Sequence, residues 1–483
     1  MIRNFSLCGV SLVILGLLTA CASIPERPSS SEILTDTAKV PANWTDRTQN
    51  IISRLGSNAP DTVWEGFDDP SLTQLVQQAI TATPSAREAQ ARLILARTRY
   101  DLAQARLRPS LSLGSGATRE RSSLEGPQFT NLPPQFAEFI EPEVDVFNLS
   151  ASASWEPDIW GRRALEVQSA QLSVKAAAAQ RDATLLSLQA DTARTYVQLR
   201  SVQTQVSITR EAMELLEETQ ELTGLLQDQD LANALDELQV SASIDARMSE
   251  LATLEGQQVE FLLSVATLTG QTPNATNELT SGSVNIPDYS SGLPAELPSS
   301  LLTRRPDLRA ASARLQAARA QSDADDLNRL PSFSLTGDGG LLSTTLDTLI
   351  STDARRGAIG AALGWPIFQG GALSAQREAS DSDVLIAEAQ YDAAILRALS
   401  DVEGALSRYV AAERALRRLD DGIDDRERIV ALRELRFKAG LDNQFLVIEA
   451  QTQLLELRLA SVQAQAASAL AIIDLFAAVG GEW

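Results

Sequence analysis

Residues 84–113 and 306–335 are two versions of one segment, PSAREAQARLILARTRYDLAQARLRPSLSL and PDLRAASARLQAARAQSDADDLNRLPSFSL. Pro84 matches Pro306, Arg87 matches Arg309, and Ala91-Arg92-Leu93 matches Ala313-Arg314-Leu315. Arg97 then matches Arg319, Pro109 matches Pro331, and Ser110 matches Ser332, all at one offset. A second set aligns at an offset smaller by 12 residues: Trp155 with Trp365, Asp182-Ala183 with Asp392-Ala393, Asp191 with Asp401, Asn233 with Asn443 and Gly270 with Gly480. The chain therefore reads as two copies of one unit. The difference falls around 117–143 versus 340–356, where loops absorb insertions at little cost.

Each copy carries the same order of elements. A helix of about 25 residues starts at Pro84 or Pro306, since proline suits the first helical position. It ends before Arg108-Pro109 or Leu330-Pro331. A pair of strands follows, at about 109–156 and about 331–366. Next come a very long helix (161–225 and 370–437), a shorter one (232–269 and 443–480) and a glycine stop. Leu188, Thr192, Thr195, Leu199, Val202, Val206, Thr209, Met213 and Leu216 keep a 4,3 spacing. So do Ala398, Val402, Ala405, Tyr409, Ala412, Leu416, Leu419 and Ile423. A 3.5-residue period implies left-handed coiled-coil packing, and small seam residues suit many helices side by side. One short helix plus the 25-residue helix matches a long helix in length. The economical arrangement sets each long helix beside two short ones stacked end to end. At 1.5 Å per residue a long helix spans about 100 Å.

In the strands, Phe147, Leu149, Ala151, Ala153 and Trp155 alternate with Asn148, Ser150, Ser152 and Ser154. Period two with one apolar and one small-polar face suits a membrane β-barrel strand, or a hairpin lying on a soluble core. Leu111 and Leu113 open the partner strand. The second copy has Phe333 and Leu335, then Ile359, Ala361, Leu363 and Trp365. Four strands cannot close a barrel, for which about eight are the usual minimum. Lipid does not tolerate an open sheet edge. A barrel from this chain must be shared between copies. Three chains supply twelve strands, and their open centre implies a channel.

The N-terminus has a short basic start and an apolar stretch from about Phe5 to Leu18, too short for a confident span and suited to a secretory signal. Leu18-Thr19-Ala20-Cys21 resembles a lipoprotein processing box, which predicts Cys21 as a lipid-bearing N-terminus; an ordinary signal peptide is the alternative. Ala22 after Cys21 favours the outer membrane. The predicted organisation is 1–20 signal peptide, 21–70 tether and N-terminal equatorial segment, 71–290 first repeat and 291–483 second repeat. No further membrane-spanning helix is expected, because no second run of 18 apolar residues stands out. The chain has 41 basic and 63 acidic residues, and its lysines are Lys39, Lys175 and Lys438 alone. That argues against nucleic-acid binding. It holds no histidine, which removes the commonest general base and metal ligand. Phosphate-loop and nucleophile-elbow motifs are missing. Neither catalysis, metal nor cofactor is expected.

Four stretches carry a family likeness: Ser154-Trp155-Glu156-Pro157-Asp158-Ile159-Trp160-Gly161-Arg162, Arg304-Arg305-Pro306-Asp307-Leu308-Arg309-Ala310-Ala311, Leu330-Pro331-Ser332-Phe333-Ser334-Leu335 and Ala439-Gly440-Leu441-Asp442-Asn443. On these strings and the repeat, the chain resembles the outer-membrane efflux proteins of the TolC type, in their lipoprotein branch. The resemblance implies a mainly α homotrimer with a small, twelve-stranded outer-membrane β-barrel continued by a long periplasmic α-helical barrel. It implies an equatorial region from the N-terminal segment, 270–305 and the C-terminus. The role implied is the passive exit duct of a three-part efflux pump for small toxic molecules, docked on a periplasmic adaptor and an inner-membrane transporter. A duct for type I protein secretion is the alternative within the same fold, and a lipid-anchored coiled-coil scaffold the alternative outside it. By the same resemblance, Lys438, Gly440 and Leu441 form one adaptor-docking tip and Asp230 and Leu231 the other. The first tip, Gln227-Asp228-Gln229-Asp230-Leu231, departs from the pattern in having no glycine. Phe445 and Glu449 match the narrowing of the tunnel, and Asp442, at spacings of 3 and 4, is expected on the same helical face. Threefold symmetry turns each into a ring. Three carboxylates about 6 Å apart repel by roughly 2–8 kcal/mol in total, for an effective dielectric between about 80 and 20.

Overall fold

The computed structural model describes Trp44 and residues 63–121, 123, 143–229, 234–274, 285–289 and 300–481. The predicted signal peptide, Cys21 and the first-tip residues Asp230 and Leu231 lie outside the described residues. Among the described residues seven helices and four strands follow one another as α1 (Pro70–Ala82), α2 (Pro84–Ala105), β1 (Ser110–Arg121), β2 (Glu143–Trp155), α3 (Arg162–Gln227), α4 (Ala234–Leu268), α5 (Pro306–Asp326), β3 (Ser332–Ser343), β4 (Arg355–Gly364), α6 (Ala372–Lys438) and α7 (Gln444–Val479). Short 3-10 or α turns at Val63–Phe67, Leu301–Arg304 and Leu327–Arg329 sit between them.

Helix ends fall where the sequence punctuates. Asp69 caps α1, its Oδ1 accepting from Ser71 N (2.8 Å) and Leu72 N (3.1 Å), with Pro70 at the first position. Thr83 ends α1 in an extended conformation and caps α2 through Ala86 N (3.2 Å). The residue before a proline avoids the helical region, so Thr83-Pro84 splits what would be one helix into two. α3 and α6, with 66 and 67 residues, each start after a left-handed glycine, Gly161 (φ 80°) and Gly371 (φ 90°).

The elements lie in rows. Close to the sheet, neighbours run α2–α3–α5–α6, and farther away α4–α3–α7–α6. Thus α4 continues the line of α2, and α7 that of α5. The joints are tight: a Cβ on Gly270, after α4, would sit 2.9 Å from the Ala82 carbonyl oxygen just before α2. One on Gly480, after α7, would sit 3.0 Å from the Arg304 carbonyl carbon just before α5. Both glycines have positive φ (69° and 103°), so conformation and close approach both demand glycine. The long α3 and α6 span both levels, about 100 Å each.

The four strands form one antiparallel sheet in the order β1-β2-β3-β4. Ser110 Oγ donates to the carbonyl of Ser154, 44 residues on, and Ser332 Oγ to that of Gly364, 32 residues on. The 12-residue difference therefore lies beyond matching positions of two hairpins, in 122–142 against 344–352.

The main core sits where the two levels meet. Leu72, Tyr196, Leu199, Leu308, Leu315, Ile472 and Ile473 are at most 1% exposed, and Trp64 meets Phe476 edge-on with ring centroids 4.7 Å apart. Full burial of one such aliphatic side chain is worth about 1.5–3 kcal/mol. Trp44, 7% exposed, belongs to the same cluster, against which Leu399 packs. The heptad positions Leu188, Thr192, Leu199, Val202, Val206, Thr209, Ala398, Val402, Ala405 and Ala412 are buried. One expectation needs amending: within α7 an 18-residue window reaches a mean hydropathy of 1.6 with at most two charges. Interspersed glutamine, serine and aspartate hide this run from a search for unbroken apolar residues. Here it is a core helix, packed on α6 and α3.

Candidate functional site

The turn from α6 to α7 is built by one glycine and one aspartate. Gly440 takes φ +71°, and the backbone N–H of Leu441 donates to the Arg436 carbonyl (2.9 Å) while that of Gly440 donates to the Phe437 carbonyl (2.9 Å). This pairing closes a helix end in which only the residue at positive φ must be glycine. The Asp442 carboxylate takes Arg436 Nε (2.9 Å) and Nη2 (2.8 Å) and Arg433 Nη1 (3.0 Å). Its side chain is 4% exposed. The Arg436 hydrogen bonds, with Arg433 adding to them, hold its pKa down to about 2. Asn443 then caps α7, its Oδ1 accepting from Leu446 N (3.1 Å).

The expected face of Asp442, Phe445 and Glu449 is corrected by this geometry. The helix starts at Gln444 and Asp442 precedes its cap, so Asp442 is off the helix and braces the turn. Phe445 and Glu449 remain one turn apart on α7, the first half-buried and the second exposed, with Gln453 Nε2 donating to Glu449 Oε1 at 3.4 Å. Gln444 reaches across to Glu218 of α3, tying the two helical hairpins together. At the apex Lys438, Gly440 and Leu441 are exposed, Leu441 by 67%, beside Phe437 at 42%. The end of α3 is built differently. Asp228, right-handed at φ −60°, donates its N–H to the Gly224 carbonyl (3.0 Å), and Gln229 donates to Leu226 (3.2 Å).

At the other end of the long helices, the ladder register sorts the sheet's two faces. Directly paired residues share a face. Leu113 pairs with Ala151 and Ala151 with Gly339; Trp155 pairs with Leu335 and Leu335 with Ala361; Gly337 pairs with Ile359. This face carries Leu111, Leu113, Phe147, Leu149, Trp155, Ile359 and Leu363, with Ile359 97% exposed. The other face carries Ser110, Ser112, Asn148, Ser150, Ser152, Ser154, Thr336 and Asp338. Asp338 accepts from Ser152 Oγ (2.8 Å) and lies 3.3 Å from Arg356. β1 and β4 each pair on one side only among the described residues. Tryptophans mark the junction with the helices: Trp155 Nε1 donates to the Leu107 carbonyl (2.9 Å), Trp365 Nε1 to that of Arg329 (3.2 Å) and Trp160 Nε1 to that of Pro331 (2.7 Å).

Sequence reasoning gave no role to Glu156 and Asp158 in the junction string, and both have one. Asp158 accepts from the backbone of Arg163 (3.0 Å) and Ala164 (2.8 Å), capping α3, while Glu156 bridges Arg162 (2.7 Å) and Arg163 (2.9 Å). The signal was an aspartate a few residues before a helix start, obscured by the intervening Gly161.

Residues 75–271 and 297–481 match the family model described as outer membrane efflux protein. Over its whole length the chain is 30% identical to the pyoverdine export outer membrane protein OpmQ of Pseudomonas aeruginosa, covering 97% of that relative. It is 27% identical to the toluene efflux pump outer membrane protein TtgC of Pseudomonas putida, over 86% of this chain and 84% of the relative. The outer-membrane channel OprN superposes with a TM-score of 0.81 at 25% identity, over 92% of this chain and 97% of that one. VceC of Vibrio cholerae shares the fold, with a TM-score of 0.75 at 24% identity over 87% and 98%.

Proposed function

Because the chain belongs to the outer membrane efflux protein family, we propose that it works as the passive exit channel of an efflux pump, carrying small molecules out across the outer membrane. The single observation that carries the reading is a sheet with one apolar face, one small-polar face and two edges unpaired among the described residues, mounted on helices about 100 Å long. A sheet edge cannot stay open in lipid, so the edges of β1 and β4 must meet those of other copies. Three copies give a twelve-stranded barrel with the apolar face toward lipid and the serine face toward water, continued by twelve lines of helix through the periplasm. Cys21 carries the lipid, and the chain after it is a tether. One acyl chain holds weakly, so the barrel supplies the anchoring.

The far end of the helices meets the partners. Gly440, Leu441 and Lys438 form a rigid, exposed apex that fits the hairpin of a periplasmic adaptor, with Asp230 and Leu231 as the apex of the other hairpin. Phe445 and Glu449 line the aperture, where three copies of each form an apolar and an acidic ring. The adaptor links the channel to an inner-membrane transporter, which supplies the energy. Exported cargo is a small molecule, since OpmQ is named for pyoverdine export and TtgC for toluene efflux. Protein secretion is the weaker reading.

Purified protein in a planar bilayer tests this directly. Stepwise ion conductance is expected, and Glu449→Gln should lower its preference for cations. A protein that inserts yet never conducts would sink the channel reading.

A further inference from the structure

Within one chain, the helices at the two ends of the row are unfinished. Among the described residues α2 packs chiefly on α3, with α1 at its start, and α6 chiefly on α5 and α7, so each leaves one flank largely uncovered. The buried positions of α2, Ala86, Ala89 and Leu93, define the side toward α3. On the opposite side Ala91, Leu95, Thr98 and Leu102 keep a 4,3,4 spacing, with Leu95 49% and Leu102 57% exposed. On α6 the buried Ser380, Tyr391, Ile395 and Ala398 define the packed side. Opposite them Ser382, Leu385 and Ala389 keep a 3,4 spacing, with Leu385 66% exposed. A 4,3 stripe of apolar and small residues is the signature of a helix seam, and these two meet no helix of the chain among the described residues.

Charge distinguishes them. α2 has four arginines against two carboxylates, whereas residues 372–392 have five carboxylates against one arginine. Arg87 and Arg99 are exposed and make no ion pair with another described residue; neither do the exposed Glu378 and Asp383. Elsewhere in the chain arginines are mostly paired, as Arg92 is with Glu88 at 2.6 Å. The heights agree too. Leu95 precedes the sheet-side end of α2, and Leu385 follows the sheet-side start of α6, each by roughly 15–20 Å of helix. The same two flanks carry the free edges β1 and β4.

We propose that neighbouring copies of this chain join along an ionic seam, in which Arg87 and Arg99, flanking the Leu95 stripe of α2, lie against Glu378 and Asp383 of the next copy's α6, beside its Leu385 stripe. The proposal rests on the ring of copies put forward above and adds its specificity. Two α2 flanks repel and two α6 flanks repel, so only the head-to-tail pairing that closes a ring is favoured.

The test uses the full-length lipidated chain, purified from membranes. Leu95→Cys with Leu385→Cys should cross-link to a covalent trimer under oxidation, while each single variant stays uncross-linked. R87E/R99E should lower trimer yield by roughly tenfold, as should E378R/D383R, and combining the two should restore it. Restoration excludes a mere folding defect. Trimers unaffected by either reversal, or a combination no better than either, would overturn the ionic seam. Wild-type trimers with no cross-link would overturn the seam itself. Wild-type protein that stays monomeric and never conducts would instead remove the ring reading on which the proposal stands.

Discussion

At the scale of single residues, Gly440 and Asp442 divide the work of turning the chain at its apex. A Cβ on Gly440 would meet nothing within 4 Å, so its requirement is purely conformational. Gly440→Ala should cost about 1–2 kcal/mol of local stability. Hydrogen exchange at the amides of 436–446 is the measurement, with faster exchange there and none elsewhere. The Asp442 pairing has a defined pH range. Its pKa falls from 3.8 to about 2 on folding. A lowered carboxylate contributes stability that is present above the unfolded value and is lost as pH falls through the folded one. The apex should thus resist proteolysis equally at about pH 7 and about pH 5, and weaken only between about 4 and 2. Asp442→Asn should show the weakened apex at every pH. The sequence placed Asp442 on a helix by its spacing to Phe445 and Glu449. It missed the cap at Asn443, which sets the helix start one residue too late for Asp442 to belong.

Among elements, the joints between stacked helices and the faces of the sheet make opposite demands. Gly270→Ala and Gly480→Ala combine a left-handed backbone with a 2.9–3.0 Å clash against backbone. Gly161→Ala has the left-handed backbone and open space. The joint variants should therefore melt well below Gly161→Ala, as followed by helical circular dichroism in detergent. In the sheet, Leu113→Arg sits on the apolar face and should cost about 1–2 kcal/mol, between the interfacial and midplane values for lipid-facing arginine. Ser112→Arg, one residue away on the other face, should cost far less. Outer-membrane yields of the two variants read the difference. Elements were the most legible level. The expected long helix at 370–437 is found at Ala372–Lys438, because Gly371 and Gly440 punctuate it. α1 escaped notice: its apolar positions Leu72, Leu75, Val76 and Ala79 are few, and Pro84 reads as a beginning only.

For the whole molecule, the same residue order recurs from sheet to helix rows, β1 over α2 at one flank and β4 over α6 at the other. Closing one layer closes the others, which predicts cooperative assembly. Disrupting β1–β4 pairing should release the helical region as well, leaving no half-open trimers in native mass spectrometry. What the sequence could not supply is which helix neighbours which. Heptads on α3 and α6 announce packing but not partners, since alanine and threonine seams accept many. The neighbours emerge only when Gly270 and Gly480 seat the short helices against the turns before α2 and α5. The placement of extra residues in the first hairpin has a practical side. All of them lie past Arg121 and Glu143, where the ladder of β1 and β2 ends. Chain added or exchanged there leaves every strand register as it is, so this connection is a natural port for an epitope or affinity tag. In a threefold assembly it would display three copies at the outer mouth, accessible to antibody on living cells.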